Sequence, residues 1–238
     1  AALIRAARDA GQRAVVYGDY DVDGVCASAI LAQVLRRMGM DTAVYIPDRH
    51  EEGYGLNRAA VEKLAGEAAL LITVDCGIAS MDEVAAAKAA GMQVIVTDHH
   101  RPGPALPAAD AVVSPLLGGY PFPYLCGAGV AWKLSLALIG TEARDALDLA
   151  ALATVADLVS LTGENRAMND QKENCIIPLP SRFFAALQYR VKGRGFLEGA
   201  FRKQIAHCIG VFGGGGGFAD GPAGLLRVLK AVGQIVHD

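Results

Sequence analysis

Residues 14–24 read Ala-Val-Val-Tyr-Gly-Asp-Tyr-Asp-Val-Asp-Gly, a short apolar run followed at once by a turn rich in glycine and aspartate. The apolar part, Ala14–Tyr17, predicts a buried strand. Residues 25–38 have the periodicity of a helix, and Gly39 is placed to end it. The stretch therefore predicts one strand-turn-helix unit, with three carboxylates in the turn between the strand and the helix.

The same unit is repeated along the chain. Apolar runs predict strands at 42–46, 70–74, 93–97 and 111–114, and helices are predicted at 1–11, 57–64, 81–90, 130–139 and 142–155. Alternating strands and helices with short connections are typical of a parallel sheet with helices on both faces. The sequence thus predicts an α/β fold, a doubly wound, mainly parallel five-stranded sheet flanked by helices.

The pattern changes after Arg166. Residues 169–180 show no clear periodicity, and residues 213–217 are consecutive glycines. We therefore expect two parts, a domain of residues 1–168 and a short C-terminal segment of residues 169–238.

Composition limits the possible classes of protein. A hydrophobic content of 53% and a charged content of 20% are ordinary for a globular protein, and the net charge of −3 means that any nucleic-acid contact must be local. No apolar run reaches the roughly 18 residues of a membrane span, so we expect no membrane contact. The five cysteines form no Cys-x-x-Cys pair, which favours a reducing compartment and predicts a cytoplasmic location.

Acidic residues and histidines come directly after three predicted strands. Asp19, Asp21 and Asp23 follow the first strand, Asp75 follows the third, and Asp98-His99-His100 follows the fourth. These positions meet at one edge of a parallel sheet, which is where α/β folds place their ligand sites. Carboxylates gathered there repel one another unless a cation neutralises them. The pattern therefore favours a metal site, although a solvated acidic turn or helix caps would also explain the aspartates.

The donor types indicate which metal and which chemistry to expect. Oxygen donors with one or two imidazoles suit Mn²⁺ or Mg²⁺ better than Zn²⁺. Two such ions can hold a bridging hydroxide and brace a phosphoryl group during in-line displacement. The residues therefore predict hydrolysis of a phosphoester.

Six motifs occur in a fixed order along residues 2–166. They are Gly18–Gly24, Ile46–Asn57, Thr73–Ile78, Thr97–His100, Leu125–Lys133, and Ala153–Val159 with Gly163–Arg166. Together they resemble the DHH phosphoesterase superfamily and, within it, the RecJ group of single-strand-specific 5′→3′ DNA exonucleases. The order of all six is what makes the resemblance specific.

The resemblance implies roles for individual residues. Asp21 and Asp75 would hold one Mn²⁺ or Mg²⁺ ion, and the second ion would be held by Asp23, Asp75, His99 and Asp157. Asp19 would be a ligand or a near neighbour. His100 would act beside the scissile phosphate, and Asp98 would orient a histidine.

Further residues are expected to contact the substrate. They are Arg49, Gly127, Gly129, Arg166, Gly214, Gly215 and Gly216. Gly127 and Gly129 are expected to open a helix close to the site, where backbone amides can meet a phosphate. Arginine side chains and the amides of a glycine run can also hold phosphate. Ion pairs with neighbouring glutamates would explain the two arginines equally well, and close packing or a flexible linker would explain the glycines.

The resulting interpretation is a hydrolase with two Mn²⁺ or Mg²⁺ ions that releases 5′-mononucleotides from single-stranded nucleic acid, expected to be DNA. The family's second domain, called DHHA1, has a Gly-Gly-His segment, whereas Phe218 stands where that histidine is usual. Residues 169–238 are therefore interpreted as a truncated or divergent DHHA1 segment. Two alternatives follow, a nanoRNase-type enzyme for short oligonucleotides or cyclic dinucleotides, and a relative that binds nucleic acid without hydrolysing it.

Overall fold

The computed structural model describes residues 1–48 and 55–170. Strands and helices alternate along this part of the chain. In order they are α1 (Ala2–Asp9), β1 (Ala14–Tyr17), α2 (Val22–Arg37), β2 (Thr42–Tyr45), α3 (Arg58–Ala65), β3 (Leu70–Val74), α4 (Met81–Ala89), β4 (Gln93–Thr97), β5 (Ala111–Val113), α5 (Gly127–Ile139), a 3₁₀ helix (Gly140–Ala146), α6 (Leu147–Ala156) and α7 (Gly163–Asp170).

The strands form one parallel sheet in the order β2-β1-β3-β4-β5. The chain moves from β1 outward to β2 and then back past β1 to β3, so the direction of winding reverses between β1 and β3. Val16 is paired with Ile72 across these two strands. Such a reversal leaves a crevice outside the carboxyl ends of the strands, and the predicted doubly wound α/β fold is confirmed.

The sheet lies between two layers of helices, each with its own apolar core. One core joins β1 and β3 to α2, α5 and α6, and it includes Ile30, Ile72 and Leu147. The other joins the opposite face of the sheet to α3 and α4 through Val61 and Val84. All five residues of β3 are buried and four of them are apolar, so the strand shows no alternation of apolar and polar residues.

Two helices begin at the crevice, each ahead of the periodic run that predicts it. Helix α2 starts at Val22 rather than residue 25, because the side chain of Asp21 caps it by accepting a hydrogen bond from the Gly24 amide at 2.9 Å. Helix α5 starts at Gly127, with Cys126 as its N-cap residue, which confirms the expectation that Gly127 opens a helix ahead of the periodic run at 130–139.

Other boundaries also differ from prediction. The helix predicted at 142–155 is a 3₁₀ helix followed by α6. The eight-residue helix α7 was not predicted, and it continues past residue 168, where the sequence places a domain boundary. That boundary and the separate C-terminal segment remain predictions, because residues 171–238 lie outside the described part of the chain.

The structure also bears on the expectations about membrane contact and about the cysteines. Within residues 1–48 and 55–170, no helix combines the length and the apolar character needed to cross a bilayer. Cys26, Cys76 and Cys126 in this part of the chain are buried free thiols.

Candidate metal centre

The turn after β1 contributes three aspartates. Asp21 caps α2, which places Asp23 in the first helical turn and buries it to 1% exposure. Gly24 lets this turn close, because a Cβ atom there would lie only 2.5 Å from the backbone oxygen of Asp19. The turn thus places Asp19 and Asp21 before the first residue of α2 and Asp23 within its first turn.

Asp75 follows β3 in a conformation that is uncommon for a residue with a side chain. Its φ of 60° is in the left-handed region, and Gly77 follows with a φ of 101°. The hydroxyl of Thr73 closes the turn by donating to the carbonyl oxygen of Cys76 at 2.8 Å. Strain of this kind costs about 1–3 kcal/mol and occurs preferentially at functional sites. Here it leaves the Asp75 carboxylate buried at the mouth of the crevice.

The two histidines after β4 have different surroundings. The His99 side chain is 12% exposed, and its Nε2 atom lies 3.1 Å from Asp75 Oδ1. The same nitrogen lies 3.7 Å from Oδ2 of both Asp23 and Asp157. The His100 side chain is 46% exposed, and its Nδ1 lies 2.8 Å from Asp98 Oδ1. His99 therefore lies among the buried carboxylates, whereas His100 lies at the surface.

Asp98 connects the turns after β3 and β4. Its Oδ2 accepts a hydrogen bond from the Ile78 amide at 2.9 Å, and its Oδ1 accepts one from the His100 amide at 3.0 Å. Burial alone would raise the pKa of Asp98, but the hydrogen bonds from His100 and Ile78 outweigh it and lower that pKa. The hydrogen bond to Asp98 raises the pKa of His100 in turn. The pair therefore favours a protonated His100 imidazole beside an ionised carboxylate.

The predicted ligands lie in two groups. One donor atom from each of Asp19, Asp21 and Asp75 lies within 4.8 Å of the others, and the same holds for Asp23, His99 and Asp157. Donor atoms of Asp75, His99 and His100 form a third such group. The short contact between Asp75 and His99 joins the groups. All six predicted metal ligands are thus brought together, and their individual roles as ligands remain predictions.

The charge and hydrogen bonding of these residues fit a cation. Burial raises the pKa of Asp19 to about 6 and that of Asp157 to about 7, and burial with neighbouring carboxylates raises the pKa of Asp75 well above its usual value. Within the described part of the chain, the buried atoms Asp75 Oδ1 and His99 Nε2 have no hydrogen-bond partner. A divalent cation would supply both the missing partner and the missing positive charge, and oxygen-rich donors suit Mn²⁺ or Mg²⁺.

Only three of the seven residues predicted to contact substrate lie in the described part of the chain. The amide of Gly127 donates to Asp23 Oδ2 at 2.6 Å, and the amide of Gly129 donates to Cys126 Sγ at 3.4 Å. In this structure both amides thus hold side chains of the protein. Arg166 is exposed on α7, and the neighbouring Glu164 contacts Lys133 at 2.6 Å. Arg49, Gly214, Gly215 and Gly216 lie outside the described residues.

Sequence reasoning missed several groups that support the site. The amides of Ile78 and Ala128 hold Asp98 and Asp23, and backbone donors have no residue-type signal. Asn165 is fully buried, and its Nδ2 donates to the carbonyl oxygens of Tyr124 at 2.6 Å and Ser160 at 2.9 Å. Its place in the Gly163–Arg166 motif was the available signal.

A comparison with protein families gives one match that covers most of the described chain. The model of the DHH family, N-terminal domain, matches residues 13–158. This range includes β1–β5 and every predicted ligand from Asp19 to Asp157.

Curated relatives match the same region. The single-stranded-DNA-specific exonuclease RecJ of Bacillus subtilis is 47% identical over 158 residues, covering 65% of this chain and 20% of the relative. The protein of the same name from Thermus thermophilus is 38% identical over 210 residues, covering 85% of this chain and 31% of the relative. The chain thus spans a fifth to a third of the length of these relatives.

Solved structures agree with the sequence comparison. An exonuclease RecJ bound to manganese is 30% identical with a TM-score of 0.71, and the match covers 98% of this chain and 64% of the other. RecJ from Thermus thermophilus in complex with Mn²⁺ has a TM-score of 0.64 at 29% identity, with 98% of this chain and 36% of the other covered.

Proposed function

Because this chain belongs to the DHH family, as the match of the family model to residues 13–158 shows, we propose that its metal centre hydrolyses phosphodiester bonds in single-stranded DNA. One observation carries the proposal. Asp75 Oδ1 and His99 Nε2 lie 3.1 Å apart and are buried without a hydrogen bond in the described part of the chain, among the aspartates where the winding of the sheet reverses. Relatives that match this region are named single-stranded-DNA-specific exonucleases.

The six predicted ligands would hold two metal ions. Asp19, Asp21 and Asp75 would hold one Mn²⁺ or Mg²⁺ ion, while Asp23, His99 and Asp157, together with Asp75, would hold the other. When bound, such ions supply Lewis acidity and lower the pKa of a bound water. Asp75 would serve both ions, because it belongs to the first group and its Oδ1 lies 3.1 Å from His99 Nε2 of the second.

His100 is proposed to serve the phosphate rather than the metal. Asp98 fixes its Nδ1 side at 2.8 Å and favours the protonated ring. The Nε2–H of that ring would then stabilise charge on the phosphate or give a proton to the leaving oxygen. The half-exposed position of the ring suits contact with a substrate that arrives from solvent.

The proposal also covers the polarity of degradation and the product that is released. We expect degradation from the 5′ end, with release of 5′-mononucleotides, as the resemblance to the RecJ group implies. Arg49, Arg166 and the glycines at 129 and 214–216 are proposed contacts for the strand. A reducing, cytoplasmic environment suits three buried free thiols and is proposed on that ground alone.

End labels test this direction directly. The 238-residue chain is incubated with Mn²⁺ and a single-stranded twenty-mer labelled at either end, and products are separated by length. A 5′ label should appear at once in mononucleotide, whereas a 3′ label should pass through a ladder of shortening strands. The reverse pattern would contradict 5′→3′ polarity, and tight binding without any product would contradict hydrolysis.

Substrate length is tested in the same assay. A dinucleotide and a twenty-mer are compared at equal concentrations of ends. Faster turnover of the twenty-mer supports the exonuclease proposal, and a marked preference for the dinucleotide would favour an enzyme for short oligonucleotides.

A further inference from the structure

The first turn of α5 lies between two of the aspartates of the metal centre. The amide of Gly127 donates to Asp23 Oδ2 at 2.6 Å, and the amide of Ala128 donates to Asp23 Oδ1 at 2.7 Å. Both oxygens of this buried carboxylate are therefore held by the start of the helix, where unpaired amides favour negative charge.

The other side of Gly127 faces Asp75. A Cβ atom on Gly127 would lie 2.6 Å from both Cβ and Oδ1 of Asp75 and 2.7 Å from its Cγ. Separations below 3.0 Å require one of the two groups to move. Gly127 is not among the residues with positive φ, so its backbone conformation does not require a glycine. Glycine is needed here because a side chain would overlap Asp75.

Asp75 has little freedom to move away. Its backbone is fixed in a left-handed turn, which the hydroxyl of Thr73 closes by its hydrogen bond to Cys76. Rotating the Asp75 carboxylate would not relieve the overlap, because the Asp75 Cβ atom is itself in it. A side chain on residue 127 would therefore have to push the Asp75 turn and the start of α5 apart, and this would disturb the 3.1 Å approach of Asp75 to His99.

We infer that Gly127 is a positioning residue that sets the separation of the Asp23 and Asp75 carboxylates. One carboxylate is held by its amide, and the other occupies the space that a side chain would fill. This inference rests on the metal centre of the proposed function, and it gives Gly127 a role toward the ligands in place of the predicted contact with phosphate. In this position the Asp75 carboxylate lies beside Asp19 and Asp21 and also contacts His99 of the other group.

Electron paramagnetic resonance of bound Mn²⁺ tests the inference without measuring activity. Two Mn²⁺ ions that share a carboxylate give an exchange-coupled spectrum, whereas separate ions give the ordinary six-line signal. We expect the coupled spectrum from the parent chain. Gly127→Ala should lose it and bind Mn²⁺ about 10- to 100-fold more weakly, which is the usual effect of disturbing groups that orient metal ligands.

Gly129→Ala is the matched control in the same helical turn. A Cβ on Gly129 meets Leu125 at 3.3 Å and Cys126 at 3.8 Å, and its three nearest atoms include none from the metal-site carboxylates. This variant should keep the coupled spectrum. A coupled spectrum from Gly127→Ala equal to that of the parent would overturn the inference. A parent that binds no coupled pair would instead contradict the two-ion part of the proposed function.

A double-variant comparison covers the case in which Gly127→Ala folds poorly. In chelator, Gly127→Ala should lower the midpoint of thermal unfolding in the parent but much less in an Asp75→Gly background, because the three clashing atoms are then absent. Equal losses in both backgrounds would overturn the inference, since they would place the clash elsewhere.

Discussion

The Nε2 atom of His99 lies 3.1 Å from Oδ1 of Asp75, and both atoms are buried without a hydrogen bond in the described part of the chain. Burial lowers the pKa of His99 below its ordinary value, so a neutral imidazole faces this carboxylate and its acidic neighbours. A neutral ring cannot balance several negative charges, whereas a divalent cation can. The contact therefore indicates a site that is incomplete as protein alone.

Asp75→Asn should separate stability from metal binding. Removing this charge relieves repulsion among buried carboxylates, so the metal-free variant should be more stable than the parent by about 1–3 kcal/mol. The same change should weaken Mn²⁺ binding, because the shared ligand loses its charge. Urea unfolding in chelator at pH 7.5, combined with Mn²⁺ titration, measures both effects.

Asp110→Asn is the control for Asp75→Asn. Asp110 contacts Lys88 at 2.6 Å and accepts a hydrogen bond from the Val94 amide, so its loss should lower stability and leave Mn²⁺ binding unchanged. Lower stability of Asp75→Asn with unchanged Mn²⁺ affinity would show that Asp75 is structural only.

The stability of the metal-free protein should rise as the pH falls from 7.5 to 5.5. Unfolded aspartates have a pKa near 3.8, whereas the folded pKa is about 6 for Asp19 and about 7 for Asp157, so the folded state binds more protons in this range. His100, whose pKa is raised, acts in the same direction, and His99, whose pKa is lowered, opposes it. The net gain should be about 2–4 kcal/mol.

Urea midpoints at three pH values, with chelator and with Mn²⁺, check this dependence. Metal competes with protons for the same carboxylates, so the stabilisation by Mn²⁺ should be largest at the highest pH. A midpoint in chelator that is flat or falls toward pH 5.5 would contradict the raised pKa values.

His99→Gln and His100→Gln should have different effects. His99 lies against the buried carboxylates, so its replacement should weaken Mn²⁺ binding strongly. His100 is held by Asp98 at the surface, so its replacement should lower kcat about 10²- to 10⁴-fold with Mn²⁺ affinity nearly unchanged. Equal losses of Mn²⁺ affinity in the two variants would mean that both imidazoles are ligands.

Asn165→Ala should destabilise the loop that follows Asp157. The buried Asn165 amide joins this loop to Tyr124 through hydrogen bonds of 2.6 and 2.9 Å, and losing both should cost about 2–3 kcal/mol. Asn169→Ala, which removes one bond to the carbonyl of Asn165 within α7, should cost about 1 kcal/mol. Urea unfolding compares them, and equal losses would contradict the role given to Asn165.

The sequence predicted the sheet well because its strands are buried runs with clear ends. Strands Ala14–Tyr17, Leu70–Val74 and Gln93–Thr97 agree with the structure to the residue. The start of α2 was missed because Asp23 and Gly24 look like turn residues by type, and their helical conformation depends on capping by Asp21. The start of α5 at Gly127 was expected, although the apolar periodicity begins only at residue 130.

The gathering of the ligands could also be predicted, since parallel strands end at one edge. What could not be predicted is how the ligands are held. Asp157 reaches the site from the end of α6 rather than from a strand, and only the resemblance indicated it. The amides that hold Asp23 and Asp98 depend on tertiary approach, which no local pattern encodes.

Hydrolysis by parent and Asp75→Asn in parallel tests the central claim most directly. Each chain is given Mn²⁺ and a 5′-labelled single strand of DNA, and release of labelled mononucleotide is followed over time. The parent should release it only with metal, and Asp75→Asn should be slower by about 10³-fold or more, since a correctly placed ion supplies several kcal/mol to the transition state. Equal rates for the two chains, or release by the parent in chelator, would contradict a metal-dependent site built around Asp75.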